Sequence, residues 1–280
     1  MRKRVFLVLM LAVVLWALGP ATVVRAGGPA PDPSPPGSAR GEAVAQLPDP
    51  ATLAKVQAEK LRYLPITQEQ NDRWEAAFER QMMALRGRLP AQTLERLDLD
   101  ALAPYIDMEA LQKAAGLSDL SRFEAPAGAH SRVDLRTARH GDFLLGHKGW
   151  APWGYWRHAG MWDAYGGYNK TVHARGYGWG VRRDAWNWFA THYSKAAVMG
   201  VWTSATVRSQ AGWYAIAQIG EPYTLWTSKT NQSKWYCTKL VWASYYWRSG
   251  RVIDLDSNGG FWVTPNNLWY SRWTYIRSFG

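Results

Sequence analysis

The chain has 280 residues and a single cysteine, Cys237, which excludes an intramolecular disulfide, an iron–sulfur cluster and a cysteine-rich zinc site. Hydrophobic residues make up 47% of the chain and charged residues 20%, a balance that argues against global disorder. Residues 27–130 carry 11 basic and 15 acidic side chains, net −4, whereas residues 131–280 carry 18 and 7, net +11. The second half should therefore favour anionic partners.

The N-terminus has the pattern of a secretory signal peptide over residues 1–26. A basic head at residues 2–4 precedes 14 apolar residues at 5–18, and Val24-Arg25-Ala26 offers a small-residue cleavage site. This pattern predicts a secreted or extracytoplasmic protein of the cell envelope, with no integral membrane segment after cleavage. Residues 27–48 are rich in Pro and Gly and are expected to form a disordered tether.

Residues 49–125 are predicted to be helical. Asp49-Pro50 is typical of a helix start, and Thr67 with Gln70 fits a capping box. Behind the box, apolar residues from Trp74 to Leu85 repeat on one helix face. We interpret the region as a cap or scaffold, and an inhibitory segment over the basic half is the alternative. Either interpretation predicts an intramolecular contact with the basic half.

Residues 131–280 are predicted to form one α+β domain. Sixteen of the 18 tryptophans lie between Trp150 and Trp273, at irregular spacing that argues against a repeat architecture. The β-like runs are Asp142–Gly146, His158–Trp162, Lys170–Ala174 and Ala196–Thr203. The helical patterns are Thr206–Ile219 and Cys237–Arg248.

The lone cysteine is predicted to lie in the first turn of a helix. Unpaired backbone N–H groups and the helix dipole favour the thiolate there, and Lys234 and Lys239 add positive charge. A lone thiol in an exported protein is a candidate nucleophile. The alternative is a buried structural cysteine that acts as a small hydrophobic residue.

A thiol nucleophile needs a base, and histidine is the usual one. His158 and His173 lie in two short strand patterns, and a hairpin joining these strands would bring the two imidazoles together. One would then be the base and the other its orienting residue. The remaining histidines are 130, 140, 147 and 192. Judged by pattern alone, each of the six histidines is more often structural than catalytic.

Three segments resemble the permuted branch of the NlpC-like cysteine hydrolases, which includes YiiX/YebB-like proteins and, more distantly, the lecithin–retinol acyltransferase group. The segments are Gly141–Leu145, Arg157–Met161 and Cys237–Trp242, and the resemblance spans roughly residues 140–275. It implies a circularly permuted papain-like fold, with Cys237 as nucleophile and His158 as base. His173 corresponds to the orienting residue, which is acidic in many members and a second histidine in the acyltransferase relatives.

Aromatic residues near the predicted site admit two interpretations. Trp153, Tyr155 and Trp156 lie in a Gly/Pro loop before His158, and Trp235 and Tyr236 directly precede Cys237. They form either a substrate-facing wall or a small core of their own. Asp254, Asp256 and Asn258 have part of the spacing of a calcium loop, but no glutamate closes it. We therefore expect neither a metal nor a cofactor.

Together these features predict an exported cysteine hydrolase that cleaves an amide bond in cell-wall peptides or another anionic envelope substrate. One alternative keeps the fold and cleaves or transfers acyl esters or acyl amides on lipids. Another is a non-catalytic module that binds wall polymers or glycans. Nucleic acid is not expected as a partner, because the chain has an export signal and no recognised nucleic-acid motif.

Overall fold

A six-stranded antiparallel sheet is central to the fold in the computed structural model, which describes residues 45–280 apart from 65, 127 and 166–168. The strands are β1 (Phe143–His147), β2 (His158–Asp163), β3 (Lys170–Ala174), β4 (Val181–Asp184), β5 (Lys195–Val201) and β6 (Thr274–Phe279). Their order is β4-β3-β2-β1-β5-β6, and each neighbouring pair is antiparallel. The strand that begins at His158 is therefore internal, and β4 is an edge strand.

Among the residues that the structure describes, five α-helices precede the strands in the chain, and four more lie between β4 and β6. The N-terminal helices are α1 (Pro50–Tyr63), α2 (Gln68–Arg88), α3 (Ala91–Arg96), α4 (Leu99–Leu102) and α5 (Met108–Ala115). The others are α6 (Trp188–His192), α7 (Ala205–Ala217), α8 (Cys237–Arg248) and α9 (Pro265–Tyr270). Across the described part of the chain, none of these helices is long and apolar enough to span a membrane.

The helices and the sheet confirm the predicted α+β class. The two predicted helix starts have the expected caps: Asp49 accepts hydrogen bonds from the backbone of Ala51 and Thr52, and Thr67 forms a capping box with Gln70. The predicted signal peptide and residues 27–44 of the predicted tether lie outside the described residues.

The two faces of the sheet pack against different elements. Ala159 and Met161 of β2 belong to the main core, and α7 and α8 pack on this strand. Trp162 lies in a smaller cluster with Phe189 of α6. This alternation follows from the opposite directions of successive side chains in a strand. The same alternation places His158, the first residue of β2, on the α6 face, where its ring lies 5.6 Å from that of Trp188 and 5.7 Å from that of Phe189.

The N-terminal helices share the main core with the sheet domain. The Trp74 ring lies 5.1 Å from that of Trp150, and its indole N–H donates to the Pro152 carbonyl at 2.8 Å. Lys60 of α1 is fully buried and donates from Nζ to the Ser271 carbonyl at 2.9 Å. Every described residue belongs to one compact unit. Residues 49–125 thus contact the basic half over a shared apolar core.

A buried carboxylate adds a polar connection to this core. Glu75 of α2 accepts hydrogen bonds from Asn71 and from Asn258, Thr264 and Asn267 of the C-terminal segment. Burial raises the pKa of Glu75 to about 7, against the opposing effect of the donors from Thr264, Asn71 and Asn267. Asn71 lies on α2 itself, and the other three donors fix α2 against the segment that precedes and begins α9.

Candidate active site

Cys237 is the first residue of α8 and is 1% exposed. The preceding residue, Tyr236, is in the N-cap position and makes no side-chain capping hydrogen bond. The first backbone bond of the helix runs from Leu240 N to the Tyr236 carbonyl at 3.1 Å. The N–H groups of the first turn, including that of Cys237, therefore lack a side-chain cap, as the sequence pattern predicted.

His158 and His173 lie on adjacent antiparallel strands and contact each other directly. His158 Nε2 is 2.6 Å from His173 Nδ1, and His173 Nε2 is 2.8 Å from Asp184 Oδ2. Asp184 ends β4, where it also faces Arg182 Nε at 3.2 Å and Arg175 at 3.5 Å. The three side chains form a polar relay, defined here as Asp184–His173–His158, that ends beside the cysteine helix.

The relay fixes the tautomer of both imidazoles. Hydrogen bonding to His173 holds the pKa of Asp184 below its usual range, so the carboxylate is ionised and can only accept. His173 must then carry its proton on Nε2, which leaves Nδ1 as an acceptor. His158 consequently donates from Nε2, and its Nδ1 is the basic nitrogen. This is the protonation state that a general base requires.

Burial disfavours the charged forms of both the thiol and the imidazole. It raises the pKa of Cys237 to about 11, although the backbone N–H groups of Ala159 and Thr238 act in the opposite direction. It also lowers the pKa of His158 well below its ordinary value, and the charge of His173 adds to this effect. Burial thus acts against the predicted resting thiolate and favours a neutral thiol beside a neutral imidazole.

The two nearby lysines also behave differently from the prediction. Lys234 forms an ion pair with Glu95 at 3.1 Å on the surface. Lys239 donates to the Lys234 carbonyl at 2.7 Å and lies over the Trp235 ring, and burial lowers its pKa to about 7. Their interactions are with these groups, so they do not supply the positive charge that was expected to favour the thiolate.

Cys237 and His158 line the same pocket, which has a volume of about 240 Å³. The Ala159 backbone, adjacent to His158, is close enough to Cys237 to influence the pKa of its thiol. Tyr193 links the two, because its ring stacks 6.2 Å from His158 and Cys237 contributes to its raised pKa. Tyr223 also lines the pocket next to Cys237. Cys237, His158 and two phenols are thus at one cavity.

The N-terminal helices contribute an acidic side to this pocket. Asp98, Leu99 and Asp100 line it opposite a set of basic residues. Asp100 forms an ion pair with Arg157, which directly precedes His158. Asp98 caps α4 by accepting from Ala101 N at 3.0 Å. Residues 98–100 therefore form part of the wall of the site.

The predicted aromatic wall is corrected by burial. Trp153 lines the pocket, and its indole N–H donates to the Arg157 carbonyl at 3.3 Å. The other four predicted aromatic residues are almost completely buried in the main core: Tyr155, Trp156, Trp235 and Tyr236. The loop packs inward because α2 and α9 supply aromatic partners, such as Trp269 at 5.1 Å from Trp156.

The other histidines are held by backbone groups or a separate ion pair. His147 is buried, with its ring nitrogens 2.7 Å from the Tyr155 carbonyl and 2.8 Å from the Phe123 carbonyl. His140 faces Asp163 at 3.4 Å. His130 and His192 each place Nδ1 near a backbone carbonyl, of Thr191 and Trp188 respectively. None of the four belongs to the relay.

The partial calcium-loop spacing does not assemble a metal site. Asp254 accepts from the Trp242 indole, and Asp256 forms an ion pair with Lys229. Across the part of the chain that the structure describes, no group of three His, Cys, Asp or Glu side chains could hold a metal ion. The carboxylates of this segment support the turn before α9.

Asp184 is the functional residue that sequence reasoning missed. It lies in Val-Arg-Arg-Asp, a four-residue strand with little apolar character, which was not predicted as a strand. Its position becomes clear only from pairing with β3, where it is opposite Thr171. The one local signal was the separation of two residues between Arg182 and Asp184, which places both on the same face of a strand.

Comparison with known proteins gives little functional information. The chain is 29% identical over 122 residues to the uncharacterized protein YycO of Bacillus subtilis (strain 168). The match covers 42% of this chain and 46% of that protein, so the chain spans about half the length of the relative. No family model matches the chain. No solved structure matches it either.

Proposed function

We propose that the chain is an exported cysteine hydrolase of the permuted NlpC-like type, with Cys237 as nucleophile and His158 as general base. The relay Asp184–His173–His158 is the observation that carries the proposal. It leaves Nδ1 as the basic nitrogen of His158, and His158 lines the same pocket as Cys237. The order of the elements, with the histidine strands before the cysteine helix, supports the circularly permuted papain-like assignment.

In the proposed reaction, the thiol is activated during attack rather than beforehand. Cys237 Sγ bonds to the substrate carbonyl carbon as its proton passes to His158 Nδ1. The resulting imidazolium keeps its Nε2–H bond to His173, whose own N–H is directed at the Asp184 carboxylate. The charge that forms on His158 is thereby stabilised through two hydrogen bonds.

The remaining steps conserve the proton. The uncapped N–H groups at the start of α8 face the oxyanion, and Tyr193 and Tyr223 present phenolic donors to the same pocket. His158 returns its proton to the leaving amine as the C–N bond breaks. A water molecule then attacks the thioester carbonyl carbon and gives its proton to His158. As the C–S bond breaks, His158 passes that proton to Cys237 Sγ, and the acid leaves.

The substrate proposed first is an amide in cell-wall peptides or another anionic envelope polymer. The net charge of +11 on residues 131–280 supports an anionic substrate, as do Lys148, Arg157 and Arg175 in the pocket. Acyl-ester or acyl-amide chemistry on lipids is the second candidate. The direct bond between two histidines favours it, because a second histidine is typical of the acyltransferase relatives.

Alkylation of Cys237 by iodoacetamide across a pH range tests the pair directly, because the chain has no other cysteine. The chain from residue 27 onward is compared with its His158→Ala and His192→Ala variants. His192 lines the same pocket outside the relay and is the matched control. We expect alkylation near neutral pH to slow by about 10²-fold in His158→Ala and to be unchanged in His192→Ala.

Identical pH profiles for wild type and His158→Ala would contradict the pairing. Turnover of wall peptides and of acyl esters by the wild type then separates the two substrate classes. If the wild type cleaves neither, and Cys237→Ala still binds wall material, the non-catalytic binding module becomes the better account.

A further inference from the structure

The turn between β3 and β4 exposes two aromatic side chains beside the pocket. It has the sequence Arg-Gly-Tyr-Gly-Trp-Gly over residues 175–180, and Tyr177 is 46% and Trp179 59% exposed. Hydrogen bonds from Trp179 N to the Gly176 carbonyl and from Arg175 N to the Gly180 carbonyl hold its shape. The exposed aromatic residues thus lie on an ordered turn.

Trp179 rests on two guanidinium groups. Arg175 lies 4.8 Å and Arg182 5.0 Å from the centre of its ring. Both guanidinium groups also reach the Asp184 carboxylate, so they lie on one side of the indole. Trp179 is 59% exposed, so these two contacts leave much of its side chain open to solvent.

A third apolar side chain lies next to this turn. The segment at residues 219–221 pairs with the start of β4, through Gly220 N to the Val181 carbonyl and Val181 N to the Glu221 carbonyl. Ile219, which precedes this pairing, is 40% exposed. We define Tyr177, Trp179 and Ile219 as the apolar rim. Arg175 connects the rim to the active-site pocket, because it contacts the Trp179 ring and also lines that pocket.

The chemistry of the rim fits an anionic bilayer surface better than a glycan. Trp and Tyr are favoured at the membrane–water interface, and arginine adds attraction to anionic lipid headgroups. A sugar-binding surface would need amide or carboxylate partners for the hydroxyl groups, and the turn at residues 175–180 contains none. The nearby Glu221 carboxylate is bonded to the Trp235 indole, and Asp98 caps α4.

We propose that the apolar rim binds anionic phospholipid surfaces and holds the mouth of the active-site pocket against them. In this orientation the rim inserts among the headgroups, and Arg175 and Arg182, which share the single Asp184 carboxylate, leave a net positive charge beside it that attracts lipid phosphates. The inference goes beyond the proposed hydrolase activity, because it requires neither Cys237 nor His158. It places the substrate at or near the membrane surface.

Co-sedimentation with lipid vesicles tests the proposal, using the chain from residue 27 so that the apolar run of residues 5–18 does not contribute. Vesicles of phosphatidylcholine alone are compared with vesicles containing phosphatidylglycerol. The test variant is Tyr177→Ser/Trp179→Ser. Trp186→Ser is the matched control, since Trp186 is 54% exposed beyond the opposite end of β4. The rate of Cys237 alkylation checks that each variant retains the fold around the pocket.

We expect the wild type to bind the phosphatidylglycerol vesicles and the binding to weaken with salt. The affinity should fall by about tenfold or more in the double variant and should be unchanged in Trp186→Ser. Absence of binding, or equal binding by the double variant, would overturn the proposal. Loss of binding to insoluble wall glycan in the double variant, with no vesicle binding by the wild type, would assign the rim to a glycan instead. Because the readout is binding, it is independent of whether His158 activates the thiol.

Discussion

Asp184 controls the site through hydrogen bonding rather than by contact with the thiol. Its carboxylate is an acceptor, and this requirement sets the proton positions on His173 and then on His158. Arg175 and Arg182 balance its charge, so the carboxylate stays ionised in a partly buried position. The carboxylate orients the two histidines and sets their tautomers, as the third residue of a thiol-hydrolase triad does for its single histidine.

Replacing Asp184 by asparagine should place the wrong tautomer on His158. The amide N–H can donate to His173 Nε2, which moves the His173 proton to Nδ1 and turns it toward His158. His158 must then carry its own proton on Nδ1, and it cannot accept the thiol proton. We expect the alkylation rate of Cys237 near neutral pH to fall by about 10²-fold, with loss of the His158-dependent part of the pH profile.

The control for this prediction is Asp163→Asn. Asp163 ends β2 and also faces a histidine, His140, but lies outside the relay. Its replacement should leave the shape of the pH profile unchanged. If Asp184→Asn retains the wild-type profile, the carboxylate has only a structural role in β4.

At the scale of single elements, Glu75 connects α2 to the segment around α9. The carboxyl group receives four donors, and an amide at the same place would direct its N–H₂ group at one of them. Glu75→Gln should therefore lower the free energy of unfolding by about 2–3 kcal/mol, measured by urea denaturation. Glu69→Gln, which changes an exposed surface pair on the same helix, should cost less than about 1 kcal/mol.

The raised pKa of Glu75 also predicts how the stability of the protein changes with pH. The folded state holds the Glu75 proton up to a pKa of about 7, whereas the unfolded chain releases it near the ordinary value of 4.5. Its contribution to stability is therefore complete below the ordinary value and is lost as the pH rises through about 7. The glutamine variant lacks this contribution, so equal pH dependence in both proteins would contradict a raised pKa for Glu75.

Strong local patterns identified most elements, and tertiary pairing determined the rest. The apolar runs predicted β1, β2, β3 and β5, and helical spacing with a cysteine start predicted α8. The strand β4 could not be found, because three of its four residues are charged and its strand character depends on pairing with β3. Asp184 was missed for the same reason.

Burial of the aromatic residues and the pKa of the thiol also depended on tertiary structure. Tyr155 and Trp156 lie in a loop whose local sequence fits either a surface wall or a core, and distant residues such as Trp269 decide between them. The helix start at Cys237 was predicted correctly, but the depth of burial that raises the thiol pKa was not. The positive charges of Lys234 and Lys239 predicted a lowered pKa for the thiol. In the structure, Lys234 instead pairs with Glu95, and Lys239 donates to the Lys234 carbonyl.

At the scale of the whole molecule, the acidic segment at residues 98–100 lines a pocket that also contains basic residues of the second half of the chain. Asp100 lies on the pocket and neutralises Arg157. Asp100→Asn should therefore make the pocket more attractive to anions. The expected change is a rise of about two- to fivefold in the ratio of Cys237 alkylation by iodoacetate to that by iodoacetamide. Glu109→Gln, an exposed change on α5, should leave this ratio unchanged, and an equal rise in both variants would indicate only a general effect of net charge.

The shared core makes the N-terminal helices part of the folded unit rather than a removable cover. Trp74 packs on Trp150 and Phe78 on Trp262, while Lys60 and Glu75 bond to the C-terminal segment. Removal of residues before 131 would expose these apolar surfaces and leave the buried polar partners unsatisfied. We expect a chain that starts at Ser131 to lose cooperative thermal unfolding and near-UV circular dichroism and to bind a hydrophobic dye. Cooperative unfolding of that chain, with Cys237 alkylation faster than in the longer protein, would instead show that residues 49–125 are a separable inhibitory segment.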